Sequence, residues 1–544
     1  VTLTAVIAQA QLVNNGATIK IQPGAVVFVA GDVQNNSSGT ISNDGKLEVQ
    51  GNFTNAATYT TATADDSLIM SGGGNVLLNA GGATLSFLHI NKTANTNFVT
   101  LAANAVIGGK LTYNSGTLST DPIANPYTLS AASSVPFEFT AGREIVGRVR
   151  RTGWANGAAV VFNQPNMLVT TNGGTNPTEF TVNMIPEVNG GDPTLVEREV
   201  QRKYVLSKVG GTGYTTNARF PYTATELDNN VEANIVPFSL PAAEWLRNPN
   251  NPVTRDVAND WVNVTGIPAD STGFEWKLAD PRYTFNATAY MRGAWNNPTG
   301  LMRTNLNTGG VLPLTQPFNT APFNYLGAES VGAIPNASVV DWVLLEFRKP
   351  ASGLPADALP ATQVSRRAAF ILNNGQVVEL DGVTPVSLDL NKQGAGFFVI
   401  KTRNHLAVMS NSLPSNITGS YSNNFAVAAN SYKNPSATSD PTVQLAPSGA
   451  GATLWGMWPG DVNRSGTVTT ADVTPINIAI AGPAAGNTNV YNVRDANYDR
   501  NVTTADVSVT NTSIAAFAAA SATRMALGIR SETALQTSVP GEHQ

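Results

Sequence analysis

Near its C-terminal end the chain carries two twelve-residue stretches with oxygen side chains at matching positions. The first is Asp461-Val-Asn463-Arg-Ser465-Gly466-Thr467-Val-Thr-Thr-Ala-Asp472, and the second is Asp495-Ala-Asn497-Tyr-Asp499-Arg-Asn501-Val-Thr-Thr-Ala-Asp506. Both close on Val-Thr-Thr-Ala-Asp. A hard divalent cation takes six to eight oxygens, and alternate side chains of a tightly curled loop converge on one point. Side chains at positions 1, 3, 5 and 12, with a main-chain carbonyl at 7, supply such a cage. The spacing therefore predicts Ca2+ held by Asp461, Asn463, Ser465, the Thr467 carbonyl and Asp472. A second ion would be held by Asp495, Asn497, Asp499, the Asn501 carbonyl and Asp506. The plainer alternative is a pair of Asx-rich turns without metal.

Little else in the chain suggests chemistry. The three histidines, His89, His405 and His543, read as structural or solvated. No nucleophile elbow, metalloprotease helix or phosphate loop is present. The closest carboxylate cluster, Glu197-Arg198-Glu199, reads as the solvated face of a strand rather than a glycosidase pair. With no cysteine, disulfides, zinc–thiolate sites and thiol nucleophiles are excluded. No enzymatic function is expected. Charged residues are only 13% of the chain and the net charge is −5, without a basic stripe. That argues against nucleic acid and against a polybasic membrane anchor. No segment reaches the ~20 apolar residues of a membrane helix. Eight tryptophans (154, 245, 261, 276, 295, 342, 455 and 458) are read mainly as core, with a glycan platform as the alternative.

The elements that must carry the loops read as mainly β. Polarity comes from Asn, Thr, Ser and Gly, which suit turns and exposed strand faces. Val1–Ala10 reads as a signal-peptide remnant, closing on Ala8-Gln9-Ala10, or as a strand donated to a neighbour. Residues 11–125 hold short runs such as Ala17–Ile21, Val26–Val29, Gly45–Gln50 and Val76–Asn79 between Asn/Gly turns. They predict a β-solenoid or a stacked sheet, although no strict repeat length is visible. Residues 126–335 carry longer alternating strands, among them Arg143–Arg150, Phe180–Met184 and Lys203–Ser207, and predict a β-sandwich. Residues 336–430 predict a small antiparallel sandwich: Asp341–Arg348, Ala368–Leu372, the Asn373-Asn-Gly375 turn, Gln376–Leu380, Gly396–Lys401 and His405–Met409. Residues 431–544 predict a linker, two loop–helix units, an Ala-rich helix near Ser513–Leu527 and a polar tail.

The loop pair resembles dockerin repeats, which place Asp at position 12 where EF-hands place Glu. Against that pattern Ser465 stands for the usual Asp at position 5, which lowers the charge of loop one. Arg500 stands for the usual Gly at position 6, which strains loop two. Asp341–Arg348, Ala369–Leu372, Val378–Gly382, Arg403–Ser410 and Trp455–Asp461 are together similar to a C-terminal module of large secreted proteins of Bacteroidota. Leu12–Ile19 with Pro23–Val29 is similar to the mature start of such proteins. The resemblance implies an extracellular or cell-surface location and no particular reaction. Asn-x-Ser/Thr sequons at Asn52, Asn91, Asn286 and Asn416 read as compositional, and Asp66-Ser67-Leu68 resembles a Bacteroidota O-glycosylation acceptor. Three functions compete. One is a filament, sheath or matrix subunit that forms a homo-oligomer or homopolymer by strand exchange. The others are an adhesin that binds glycan and a scaffold-anchoring protein that docks a cohesin.

Overall fold

The computed structural model describes residues 10–62, 66–121, 126–186, 199–241, 245–247, 253–390, 396–411, 419–435, 440–445, 453–526 and 535–541. Val1–Gln9, Glu197, Arg198, Asn416 and His543, all invoked above, lie outside them. The contacts form two compact units, one ending at Asp280 and the other running on from Pro281.

The first unit begins as a β-solenoid of about six turns. Three stacks of short parallel strands make its walls. In one, Leu12, Val33, Phe53, Leu78 and Leu101 lie in register. In another, Leu47, Leu68, Leu88, Leu111 and Phe137 do. The third aligns Ile19, Ile41 and Tyr59. Alternation explains the arrangement: each strand sends every second residue inward, and stacking the turns joins those residues into one core. The absence of a strict repeat has a physical cause. Only the inward positions must match, so corner loops vary, and the step from Val33 to Phe53 is shorter than that from Leu118 to Ile145.

Buried asparagines complete the stack. Asn14 donates to Asn35 (2.9 Å), Asn35 donates to Asn55 (2.7 Å), and Asn55 donates to the Ala80 carbonyl (3.1 Å). Each amide has both a donor and an acceptor, so a ladder of them satisfies itself away from water. The strand Ile145–Thr152 then ends the solenoid and starts the sandwich. It pairs in parallel with Thr128–Ala132 and antiparallel with Glu179–Pro186. A facing sheet of five strands spans Val160 to Pro268. Phe220 of that sheet stacks on Trp276 of the other at 5.6 Å, closing the core between them. One apolar cluster runs through solenoid and sandwich alike, across residue 125.

The second unit is built on an eight-stranded sheet. Its central strand, Val339–Arg348, lies between Gln363–Leu372 and Phe397–Lys401, and all ten of its residues are buried. Gly375 takes a positive φ (87°) in the predicted Asn-Asn-Gly turn, a conformation open to glycine at no steric cost. The sheet also recruits Arg282–Thr288, from the segment assigned by sequence to the preceding sandwich, because that strand pairs with Val386–Asp389 and Ser420–Asn424. Of the predicted strand His405–Met409, Val408–Met409 joins the sheet, while His405 forms an antiparallel bridge with Pro459 instead. Two helices follow, Thr470–Ala481 and Thr504–Ala526. The second starts well before Ser513. The tail returns as the strand Leu535–Gln536, which pairs with Thr467–Val468.

Candidate metal centre

The repeated Val-Thr-Thr-Ala-Asp ending is first a helix start. Thr469 accepts from the Ala471 N–H (3.1 Å), and Asp472 accepts from the Thr469 N–H (2.9 Å). Thr503, Ala505 and Asp506 repeat this at 3.2 and 2.8 Å. Such a capping box satisfies N–H groups that a helix leaves unpaired. It also fixes the position-12 carboxylates at the mouths of the loops.

The main-chain N–H bonds that curl the two loops match, while loop two adds bonds from the side-chain amides of Asn497 and Asn501 to Asp499 (3.0 and 3.2 Å). Asp461 accepts from the N–H groups of Ser465 (2.8 Å) and Gly466 (3.0 Å), while Asp495 accepts from those of Asp499 and Arg500 (both 3.1 Å). Asn463 and Asn497 accept from the same N–H groups of Ser465 (2.9 Å) and Asp499 (3.0 Å). Asp472 accepts from the Asn463 N–H (3.2 Å) and Asp506 from the Asn497 N–H (3.1 Å). Position 4 is left-handed in both loops, with φ of 62° at Arg464 and 61° at Tyr498. Position 6 is too: Gly466 has φ 78° and Arg500 has φ 79°. A side chain at such a φ costs about 1 kcal/mol, so loop two keeps the curl of loop one at a cost glycine would avoid.

The donor types suit a hard cation. Asp461, Asp472, Asp495 and Asp506 are all buried. Burial, with the charge of Asp472 added, pushes Asp461 up to about 7. Burial, with the charge of Asp495 added, pushes Asp506 up to about 6 against the N–H of Thr503. Asp472 and Asp495 are raised by burial too. Buried carboxylates that repel one another are stabilised as anions by a cation set between them. Among the described residues no three Asp, Glu or His side chains converge as a metal group. Loop one has only two carboxylates, and its other donors are Asn463, Ser465 and the Thr467 carbonyl, oxygens of the kind calcium accepts. Ser465 is turned toward Thr467, its hydroxyl 2.8 Å from that of Thr467.

A buried polar hub fastens both loops to the sheet. Arg403 donates to Asp341 (Nε–Oδ2 2.8 Å), to the Asn492 carbonyl and to the Asp495 carbonyl (3.2 Å). Its guanidinium lies against the rings of Tyr491 (4.8 Å) and Tyr498 (4.3 Å). The Tyr491 hydroxyl donates to Asp341 (2.9 Å). Asn404 donates to the carbonyls of Val493 and Asp495 (both 2.9 Å), and its own carbonyl accepts from the Asp461 N–H (3.1 Å). His405 accepts at Nε2 from the Gly293 N–H (3.1 Å), which leaves Nδ1 to donate to Asn404 (2.9 Å). Burial, then the charge of Arg403, lowers His405 to about 3 and keeps it neutral.

The ten predicted ligand residues thus fall into two matched clusters, as their spacing indicates. Sequence reasoning did not find Asp341, Arg403, Asn404, Tyr491 and Tyr498, the residues that bind the loops to the sheet. The signal for Asp341 was an acid inside an otherwise apolar strand pattern; Arg403 and Asn404 follow a strand end in a polar run that carries no such mark. Glu199 is not on a solvated strand face: it pairs with the buried Lys277 at 2.7 Å, because a buried ammonium requires an anion. Trp245, Trp276, Trp295, Trp342 and Trp458 are buried, as the core reading of the tryptophans requires. No family model, curated protein or solved structure matches the chain.

Proposed function

We infer that this is a non-catalytic extracellular structural protein whose second unit is locked by two calcium ions. The reading rests on one observation: two loops with matching main-chain N–H bonds place buried carboxylates on a polar hub continuous with the central sheet. Calcium held there would bind the folded unit alone. It would stabilise that unit by RT ln(1 + [L]/Kd), about 2.7 kcal/mol at a hundredfold excess over Kd. The millimolar calcium outside cells suits such a lock. The loops are fastened to their own sheet through Asp495 and Asn404, which favours a stabilising role over docking of a cohesin.

Assembly into a filament or matrix draws support from the first turn of the solenoid. Leu12–Asn14, Thr18–Ile21 and Val26–Val29 each pair on one side only among the described residues. Val26 and Phe28 stand exposed there, at 58% and 55%. Another copy of the chain would extend such an edge.

Two measurements test the two parts. Calorimetry with calcium and with EGTA is expected to show the transition of the second unit fall on chelation while that of the first stays. Asp461→Ala combined with Asp495→Ala removes the difference. Equal melting in both buffers rejects the calcium lock. Sedimentation velocity is expected to show assemblies that Val26→Lys with Phe28→Lys abolishes without lowering the melting temperature. A protein that stays monomeric at high concentration rejects assembly.

A further inference from the structure

The second unit contains a cavity of about 410 Å3 that borders loop one, with Asp461, Arg464 and Gly466 in its wall. Glu346 lies among its lining residues, with Arg366, Lys401, Arg464, Phe323 and Pro360 around it. Three strands set these groups side by side. Arg366 is the register partner of Glu346 on one neighbouring strand, and Lys401 lies on the other.

Cations gather at one wall of this cavity. Glu346, only 3% exposed, takes Arg348 at 2.7 Å and Lys401 at 3.1 Å, with Arg366 at 3.9 Å. One carboxylate thus faces three cations. Arg464 adds a fourth. Asp461 also lines the space, but both its oxygens accept N–H groups of its own loop. Arg366, at the edge of ion-pair range of Glu346, makes its hydrogen bond to the neutral Phe323 carbonyl (2.8 Å). Arg464 donates from Nε to the Arg403 carbonyl (3.3 Å) and lies 5.4 Å over the Phe323 ring. Its two outer nitrogens meet no acceptor among the described residues.

A guanidinium presents a planar fork of donors matched to a carboxylate. Phe323 and Pro360 offer apolar faces beside that fork, and the volume is of the order that holds a small ligand. We propose that this cavity binds a small organic carboxylate of the size of one hexuronate ring, with Arg366 and Arg464 holding the carboxylate and Phe323 carrying the ring.

The test uses the full chain at fixed calcium and ionic strength. Sodium glucuronate is titrated by calorimetry and by ligand-observed NMR, with glucose as the neutral counterpart. Saturable binding of glucuronate and none of glucose is expected. Arg366→Gln is expected to weaken binding at least about tenfold, since a hydrogen bond to a charged group is worth that much. Arg464→Gln does the same independently, should Arg366→Gln disturb folding. The dipeptide acid acetyl-Ala-Ala supplies a carboxylate without a sugar ring. Tighter binding of that peptide than of glucuronate overturns the assignment to a sugar acid. Failure of glucuronate to bind, equal binding of glucose, or unchanged affinity in both variants overturns the site itself.

Discussion

The solenoid and the second unit each rely on a different kind of buried polar group. The solenoid buries neutral amides: Asn14, Asn35 and Asn55 hand hydrogen bonds from one turn to the next. The second unit buries full charges: Arg403 joins Asp341 on the central strand to Asp495 in a loop. A neutral ladder costs little to desolvate and fails locally, since each amide touches only the adjacent turn. A charge hub is costly to bury and fails as a whole, since removing one partner strands the others. The solenoid is thus a sum of similar layers. The second unit depends on a few residues far apart in the chain.

Four perturbations break or sharpen that contrast when the two units melt as separate transitions. The largest effect is expected from Arg403→Met. It leaves Asp341 and Asp495 without their cation and costs the second unit about 3–5 kcal/mol, with the first transition unmoved. A variant that melts like the parent removes the hub from the account.

Acid comes next. The folded pKa of His405 lies at about 3, below its ordinary value of 6.5. Its stabilising contribution is therefore complete above about pH 6.5. It is lost as pH falls toward the folded value, because the unfolded chain takes up the proton first. By pH 4 the second unit is expected to lose roughly 2–3 kcal/mol from this residue. Parallel melts of the parent and His405→Gln in EGTA isolate the effect, and identical acid slopes for the two discard it.

A smaller, local loss is expected in the solenoid. Asn35→Ala removes one acceptor of the Asn14 amide and the Asn35 donor to Asn55, at about 1–3 kcal/mol. Hydrogen exchange should show protection falling in the turns around residue 35 and holding in the sandwich. Loss of protection throughout the first unit would mean that its layers do not act separately. Smallest is a gain. Arg500→Gly relieves the left-handed strain at φ 79° and is expected to add about 0.5–1 kcal/mol to the second unit, or to tighten calcium at loop two, read by titration. No gain in either would show that the Arg500 side chain repays its backbone cost, for example through Asn489 at 3.3 Å.

Much of this was legible locally. The solenoid strands Val26–Val29 and Val76–Asn79 stand where alternation put them. The loops curl as their spacing indicates, because the bonds that curl them run between residues four or five apart. The helix after the second loop was expected, but it and the separately expected Ala-rich helix are one continuous helix, Thr504–Ala526. His405–Ala407 does not continue the main sheet as expected: His405 bridges Pro459, a partner that local alternation could not reveal.

The sequence by itself determined what short-range chemistry dictates: mainly β strands, two oxygen-lined loops, and the helix starts that carry their closing carboxylates. Only the tertiary structure decided which distant groups meet. The order of turns in the solenoid, the partners of Arg403 and the cations around Glu346 follow from long-range packing. A buried charge takes whichever counter-charge the fold delivers to it, and spacing along the chain does not record that choice.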